Sequence, residues 1–189
     1  MVQRRGWGIV AVAALVLMAG AGGGVLLREL QAAAGADEGI PAAPTSVLSP
    51  VKEPGPRTVV LVEDVAAHPY ADQVRKVLQS HFDAINDGDY ELWTDTVTRE
   101  RARATARSVW RDQYRTTLDG SIVVHRLEPR PGGGLIALLS FTSVQDAADA
   151  PSDMPVTCLR WRVSYALVDE ADGLRLALTS PSASLRTPC

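Results

Sequence analysis

The run Ala71 to Trp93, ADQVRKVLQSHFDAINDGDYELW, decides how the rest of the chain is read. Val74, Val77, Leu78, Phe82 and Ile85 recur at i, i+3, i+4, i+8 and i+11, the period of one face of an α-helix. Asp72, Arg75, Lys76, Gln79 and Asp83 fall on other faces, so the spacing predicts a half-buried helix. Asn86-Asp87-Gly88 supplies its stop, because Gly88 is free to take the left-handed conformation with which many helices end. Asp89 is placed to cap a second, short helix that has Tyr90, Leu92 and Trp93 to bury. Long helix, break and short aromatic helix make a packing unit, and no chemistry follows from it alone.

Toward the N-terminus, His68-Pro69 interrupts the chain just before this unit. Thr58 to Val65, TVVLVEDV, is a β-branched run suited to an entry strand or an extended lead-in. Gln31 to Arg57 has no apolar period and carries prolines at 41, 44, 50, 54 and 56, the composition of an extended spacer. Before it, Arg4 and Arg5 precede an uncharged stretch, Trp7 to Leu27, which as a helix would span about 31 Å, close to the hydrocarbon thickness of a bilayer. The positive flank should stay in the cytoplasm and send the remainder outward. A cleaved signal peptide would use Trp7 to Met18 and the small residues Ala19-Gly20-Ala21, releasing a secreted protein. The apolar run continues to Leu27, however, which favours an uncleaved single-pass anchor. The expected organisation is a transmembrane anchor or signal segment at 1–30, a Pro/Ala-rich linker at 31–57 and one folded domain at 58–189.

Toward the C-terminus, Thr98 can cap a third helix from Arg99 to about Thr117, with Ala102, Ala106, Val109, Trp110 and Gln113 or Tyr114 inward. On it Arg99, Arg103, Arg107, Arg111 and Arg115 recur every four residues, a basic ridge about 24 Å long. Such a ridge is either a solvated face or a contact for anionic headgroups, wall polymer or an acidic partner. Beyond Asp119 the pattern turns to strands: Ser121 to Leu127, then Leu135 to Val144 after a Pro- and Gly-rich turn. Thr157 to Val168 alternates most clearly, with Leu159, Trp161, Val163, Tyr165 and Leu167 on one face. Asp169 to Gly173 then closes a hairpin onto Leu174, Leu176 and Leu178. The fold class is α+β: three N-terminal helices on one face of an antiparallel sheet of about four strands. A hairpin turn near Ala171 sets Cys158 opposite roughly Ser184, from where the tail could return Cys189 to it as a disulfide.

The segment VRKVLQSHFDAINDGDYELWTDTVT resembles the opening of NTF2-like domains, the cone-shaped α+β fold of SnoaL-like and ketosteroid-isomerase-like proteins. The resemblance covers about Tyr70 to Ser184 and implies a curved sheet closing over a concavity. An anchor and Pro-rich spacer ahead of such a domain is also similar to small actinobacterial membrane proteins, Mce-associated proteins among them. The resemblance implies little about activity, since enzymes, binders and scaffolds share the fold. No strand between the second and third helices is evident in the sequence.

If the cone were catalytic, its acid–base group would come from His81, Asp83, Tyr114, His125 or Tyr165. His125 in a strand and Asp83 on the long helix are the catalytic candidates retained. Trp93, Trp110, Tyr114, Trp161 and Tyr165 are the aromatics available to line a pocket, or to fill it. Paired carboxylates, a Ser/His/Asp order, metal-ligand spacing and a phosphate-cradling loop are all lacking; Gly132-Gly133-Gly134 is a loop tip without the lysine a P-loop requires. Two cysteines are too few for a structural zinc site, and a net charge of −3 makes no case for nucleic acid. No metal and no cofactor are expected. The expected function is a non-enzymatic extracytoplasmic module, held to the membrane by residues 7–27, that binds an envelope protein or an apolar ligand. The alternatives are a SnoaL-like isomerase, cyclase or hydratase working through the cone, and self-association as a homodimer through the sheet.

Overall fold

The computed structural model describes residues 53–178 and 183–189. The expected membrane segment at 7–27, and the linker up to residue 52, lie outside the described residues. Among those described, no helix is long and apolar enough to cross a membrane.

The chain runs β1 (Val60–Leu61), α1 (Glu63–Ala66), α2 (Ala71–Asp87), α3 (Tyr90–Thr94), α4 (Arg99–Ala104), α5 (Arg107–Tyr114), β2 (Leu118–Pro129), β3 (Leu135–Val144), β4 (Cys158–Glu170), β5 (Gly173–Leu176) and β6 (Ser184–Pro188). The strands form one six-stranded sheet in the order β1-β2-β3-β4-β5, with β6 also on β4. Only β1 lies parallel to its neighbour; the other pairings are antiparallel.

Helix α2 forms as its period requires. Val74, Leu78 and Phe82 are fully buried, with Val77 and Ile85 nearly so. Gly88 ends it at φ 66°, and the Asp89 side chain accepts the Leu92 amide to cap α3. Phe82 meets Phe141 of β3 edge-on at 5.0 Å, so α2 lies on the sheet face that carries Leu135, Ala137, Leu139 and Phe141. Opposite these, in register on β4, stand Leu167, Tyr165, Val163 and Trp161. This is the β4 face that the alternation predicts.

Four expectations are corrected. The third helix is two, because Thr105 (φ −118°, ψ 98°) and Ala106 (φ −62°, ψ 146°) are extended. The Thr105 carbonyl there accepts the Tyr90 hydroxyl at 2.8 Å. The break lets Trp110 and Tyr114 turn inward together while Val109 faces out, 49% exposed. Secondly, the linker does not extend to residue 57. Pro54 and Pro56 carbonyls accept the Ser121 hydroxyl and amide, each at 2.8 Å, and Arg57 pairs with Asp87 at 3.1 Å. Gly120 makes this contact feasible, since a Cβ there would lie 2.5 Å from the Gly55 carbonyl oxygen.

Thirdly, the sheet has an edge that no apolar run announced. Thr96 and Thr98 exchange backbone hydrogen bonds with Leu176 at 2.9 and 3.0 Å, bringing Val97 alongside β5. Fourthly, the last hairpin is not continuous. Leu167 faces Leu176 but Val163 faces Ser184, so four residues of β4 match eight of the tail. Cys158 therefore meets Cys189 directly, at a Cα separation of 5.4 Å, and the two are disulfide-bonded.

Candidate functional site

Between α2, α4, α5 and the inner face of the sheet lies an open cavity of about 620 Å³. That is within the roughly 300–1,000 Å³ of ordinary small-molecule sites. Its apolar wall is built by Ile85, Phe141, Trp161 and Val163. Trp161 stacks on Phe141 with 6.0 Å between ring centres and 12° between planes.

The polar residues of the lining include Asp119, Tyr114, Tyr165 and Arg101. Asp119 is only 3% exposed. It sits in β2 directly opposite Ser143 of β3, whose hydroxyl donates to its carboxylate in a short hydrogen bond. Asn86, at the end of α2, fixes the backbone there. Its side chain donates to the Asp119 carbonyl at 3.0 Å and accepts the Asp119 amide at 2.6 Å. Burial pushes the Asp119 carboxyl up from 3.8 to about 6, against the opposing pull of the Ser143 bond. Burial also raises the Tyr114 and Tyr165 phenols, and Arg101 and Asp119 act on both with opposite signs. The two phenols thus stay neutral at physiological pH and feel both charges.

Arg101 is half-buried, with its guanidinium 5.7 Å over the Trp93 ring and one nitrogen 3.4 Å from the Ala177 carbonyl. Among the described residues no carboxylate lies within ion-pair distance of it. The other acid at the cavity is committed: Asp149 pairs with Arg115 and accepts the Thr116 hydroxyl at 2.8 Å. Those bonds hold the Asp149 carboxyl below its ordinary value and tie the β3–β4 loop to the end of α5.

Neither catalytic candidate reaches this cavity. His125 follows the buried Val124 in β2 and so faces outward, where Nε2 meets the Ser140 hydroxyl at 2.7 Å. Asp83 accepts from Gln79 at 3.0 Å, and Gln79 in turn holds Val59 and Arg57, so this cluster ties down the entry segment. His81 is buried in the core, with Nδ1 2.8 Å from the Thr96 hydroxyl; burial lowers it to about 3, Arg101 adding to the effect. Of the expected pocket aromatics, Tyr114, Trp161 and Tyr165 do line the cavity. Trp93 and Trp110 do not. Each is 1% exposed, and they pack on each other at 5.8 Å within the core.

The arginine ridge does not persist. With the helix broken at Thr105, Arg99 turns to Glu170 and Asp172, Arg107 to Glu91 and the Tyr90 ring, and Arg115 to Asp149. Arg103 and Arg111 are exposed. The described residues hold no cluster of three or more metal-ligating side chains.

Sequence reading missed Asp119 and Arg101. Arg101 had a signal: two residues from Arg99 is about 200° around a helix, so it faces inward when the ridge faces out. Asp119 had none, because the irregularity between Gly120 and Val123 hides its alternation with the strand behind it. No family model, curated protein or solved structure matches this chain.

Proposed function

We propose that this protein is an extracytoplasmic, membrane-anchored binding module whose α+β domain takes a small ligand with an apolar body. The observation that carries the reading is the open cavity, with an aromatic and aliphatic wall beside a short polar stretch. A pure scaffold would gain stability by filling such a space with side chains. The order of long helix, glycine stop, short capped helix and antiparallel sheet supports an NTF2-like cone as its fold type. The Cys158–Cys189 disulfide suits an oxidising compartment, in keeping with export behind the apolar run at 7–27. The test is calorimetric titration of the full chain in lipid nanodiscs with a neutral soluble probe, indole. Saturable one-to-one binding is expected, lost in Val163→Phe, which fills the cavity. Absence of saturable binding, or binding indifferent to that change, overturns the reading.

A second reading keeps the acid–base enzyme but moves its proton carrier to Asp119. Its support is a buried carboxyl titrating near 6 inside the cavity. Deuterium wash-out from 2-indanone, accelerated by the wild-type chain and not by Asp119→Asn, is the expected sign. Equal rates in the two would remove it.

A further inference from the structure

We infer that the cavity selects ligands bearing one carboxylate at the end of an apolar body, and that Arg101 is the residue that reads the carboxylate. This rests on the cavity being a ligand site and adds the class of ligand.

Among the described lining residues Arg101 is the only cation. Its ring contact with Trp93 and its long bond to the Ala177 carbonyl hold the guanidinium in place. Neither neutralises it. A half-buried guanidinium without a carboxylate keeps most of its hydrogen-bond donors free, in surroundings where a charge-assisted bond is stronger than in water. Asp119 does not fill this role: its carboxylate accepts from the Ser143 hydroxyl, and among the described residues it makes no ion pair with Arg101. The phenols of Tyr114 and Tyr165 lie where both charges are felt and are neutral donors. The stacked Phe141–Trp161 pair adds aromatic surface to the same lining, with the Arg186 guanidinium 5.4 Å from the Trp161 ring centre.

Of the cavity's two charged groups free of an ion pair among the described residues, Arg101 is the one that attracts an anion, and with the two neutral phenols beside it, it matches a monoanion. A phosphate dianion would need a second cation, and the two beside the lining are already paired, Arg115 with Asp149 and Arg186 with Asp153. The planar guanidinium suits the two oxygens of a carboxylate, and the aromatic pair suits a ring or chain attached to it.

The experiment titrates the full chain in zwitterionic nanodiscs with 4-phenylbutyrate, 4-phenylbutyramide and 4-phenylbutan-1-ol, using protein-free nanodiscs as the blank. These share one body and differ only in the head group. The acid should bind about tenfold tighter than the amide, because only the acid brings an opposite charge to its bond with the guanidinium. Arg101→Gln should remove the preference, so that acid and amide bind alike within that variant, while Arg101→Lys retains most of it. Near-ultraviolet dichroism of the Trp93–Trp110 pair checks that both variants remain folded. Equal affinity for all three ligands, or a preference that survives Arg101→Gln, overturns the carboxylate assignment and leaves the cavity reading standing. No binding by any of them, with indole also unbound, overturns both.

Discussion

Asp119→Asn should change the slope of stability against pH in a way that no exposed carboxylate can. The Asp119 carboxyl titrates at about 6 in the folded chain against an ordinary 3.8. Between those values the folded chain holds a proton that the unfolded chain has released. Its contribution to stability is thus fully present below 3.8 and is lost as the pH rises through 6. His81 runs the other way, being lowered by burial from 6.5 to about 3. There the unfolded chain takes up a proton that the folded chain refuses, so stability is present above 6.5 and is lost as the pH falls toward 3. Each group contributes a slope of about 1.4 kcal/mol per pH unit, with opposite signs. Between about pH 4 and 6 the two cancel in the wild type. Asparagine removes one of them. The variant should gain stability with rising pH across that window, by about 3 kcal/mol in total, and should exceed the wild type by a similar amount at pH 7.5. His81→Gln should give the mirror image, losing stability as the pH rises. The assay is urea unfolding at half-unit pH steps, checked for constant m-values. Asp149 and Asp153, whose carboxyls are held low mainly by Arg115 and Arg186, lose their pairs with acid in every variant alike, so the readout is the difference between curves. Parallel curves for Asp119→Asn and wild type would refute the reasoning.

Three further outcomes follow from single contacts. Replacing Cys158 and Cys189 together by serine opens a cross-link 31 residues apart and should lower stability by about 3.5–4 kcal/mol. Faster amide exchange in β6 would accompany it, and an unchanged urea midpoint would contradict it. Gly120→Ala drives a Cβ into the Gly55 and Pro54 carbonyls at 2.5 and 2.8 Å. The expected loss is about 1–3 kcal/mol with earlier proteolysis at 53–57, whereas Gly88→Ala, with nothing within 4 Å, should suffer only the left-handed backbone strain of about 1 kcal/mol. Asp149→Ala releases Arg115 and Thr116, so amides of residues 146–150 should exchange faster at an unchanged global midpoint; a lowered midpoint would mean that the loop supports the core.

Much of the fold was legible because it rests on periods that side chains impose locally. The α2 stripe, the Gly88 stop, the caps at Asp89 and Thr98, and the whole of β3 stand where the pattern put them. The failures share a physical cause: the deciding contact comes from a distant partner. Nothing local to Thr105 announces that Tyr90 will take its carbonyl and split a helix. Nothing in Glu53 to Arg57, rich in proline, announces that Gly120 leaves room for it to lie against β2. The candidate site suffered more than the fold for the same reason. His125 is a usual proton carrier in type, yet alternation with the buried Val124 sends it outward, while the irregularity after Gly120 leaves Asp119 on the inner face as well as Ile122 and Val124.

The energetics of the interior also bear on function. Asp119 is buried against a shift that favours losing its charge, and Arg101, in the same cavity, has no carboxylate within ion-pair distance among the described residues. Next to them His81 leaves Nε2 without a hydrogen-bond partner among the described residues, a loss of about 1–3 kcal/mol where such a group is desolvated. A leucine or phenylalanine at any of the three positions would serve packing better. Two of these groups, Asp119 and Arg101, line one cavity, with His81 feeling the charge of Arg101 from the core beside it. Local departures from good packing that converge on a single open space are the pattern expected of a binding site held on an otherwise stable scaffold.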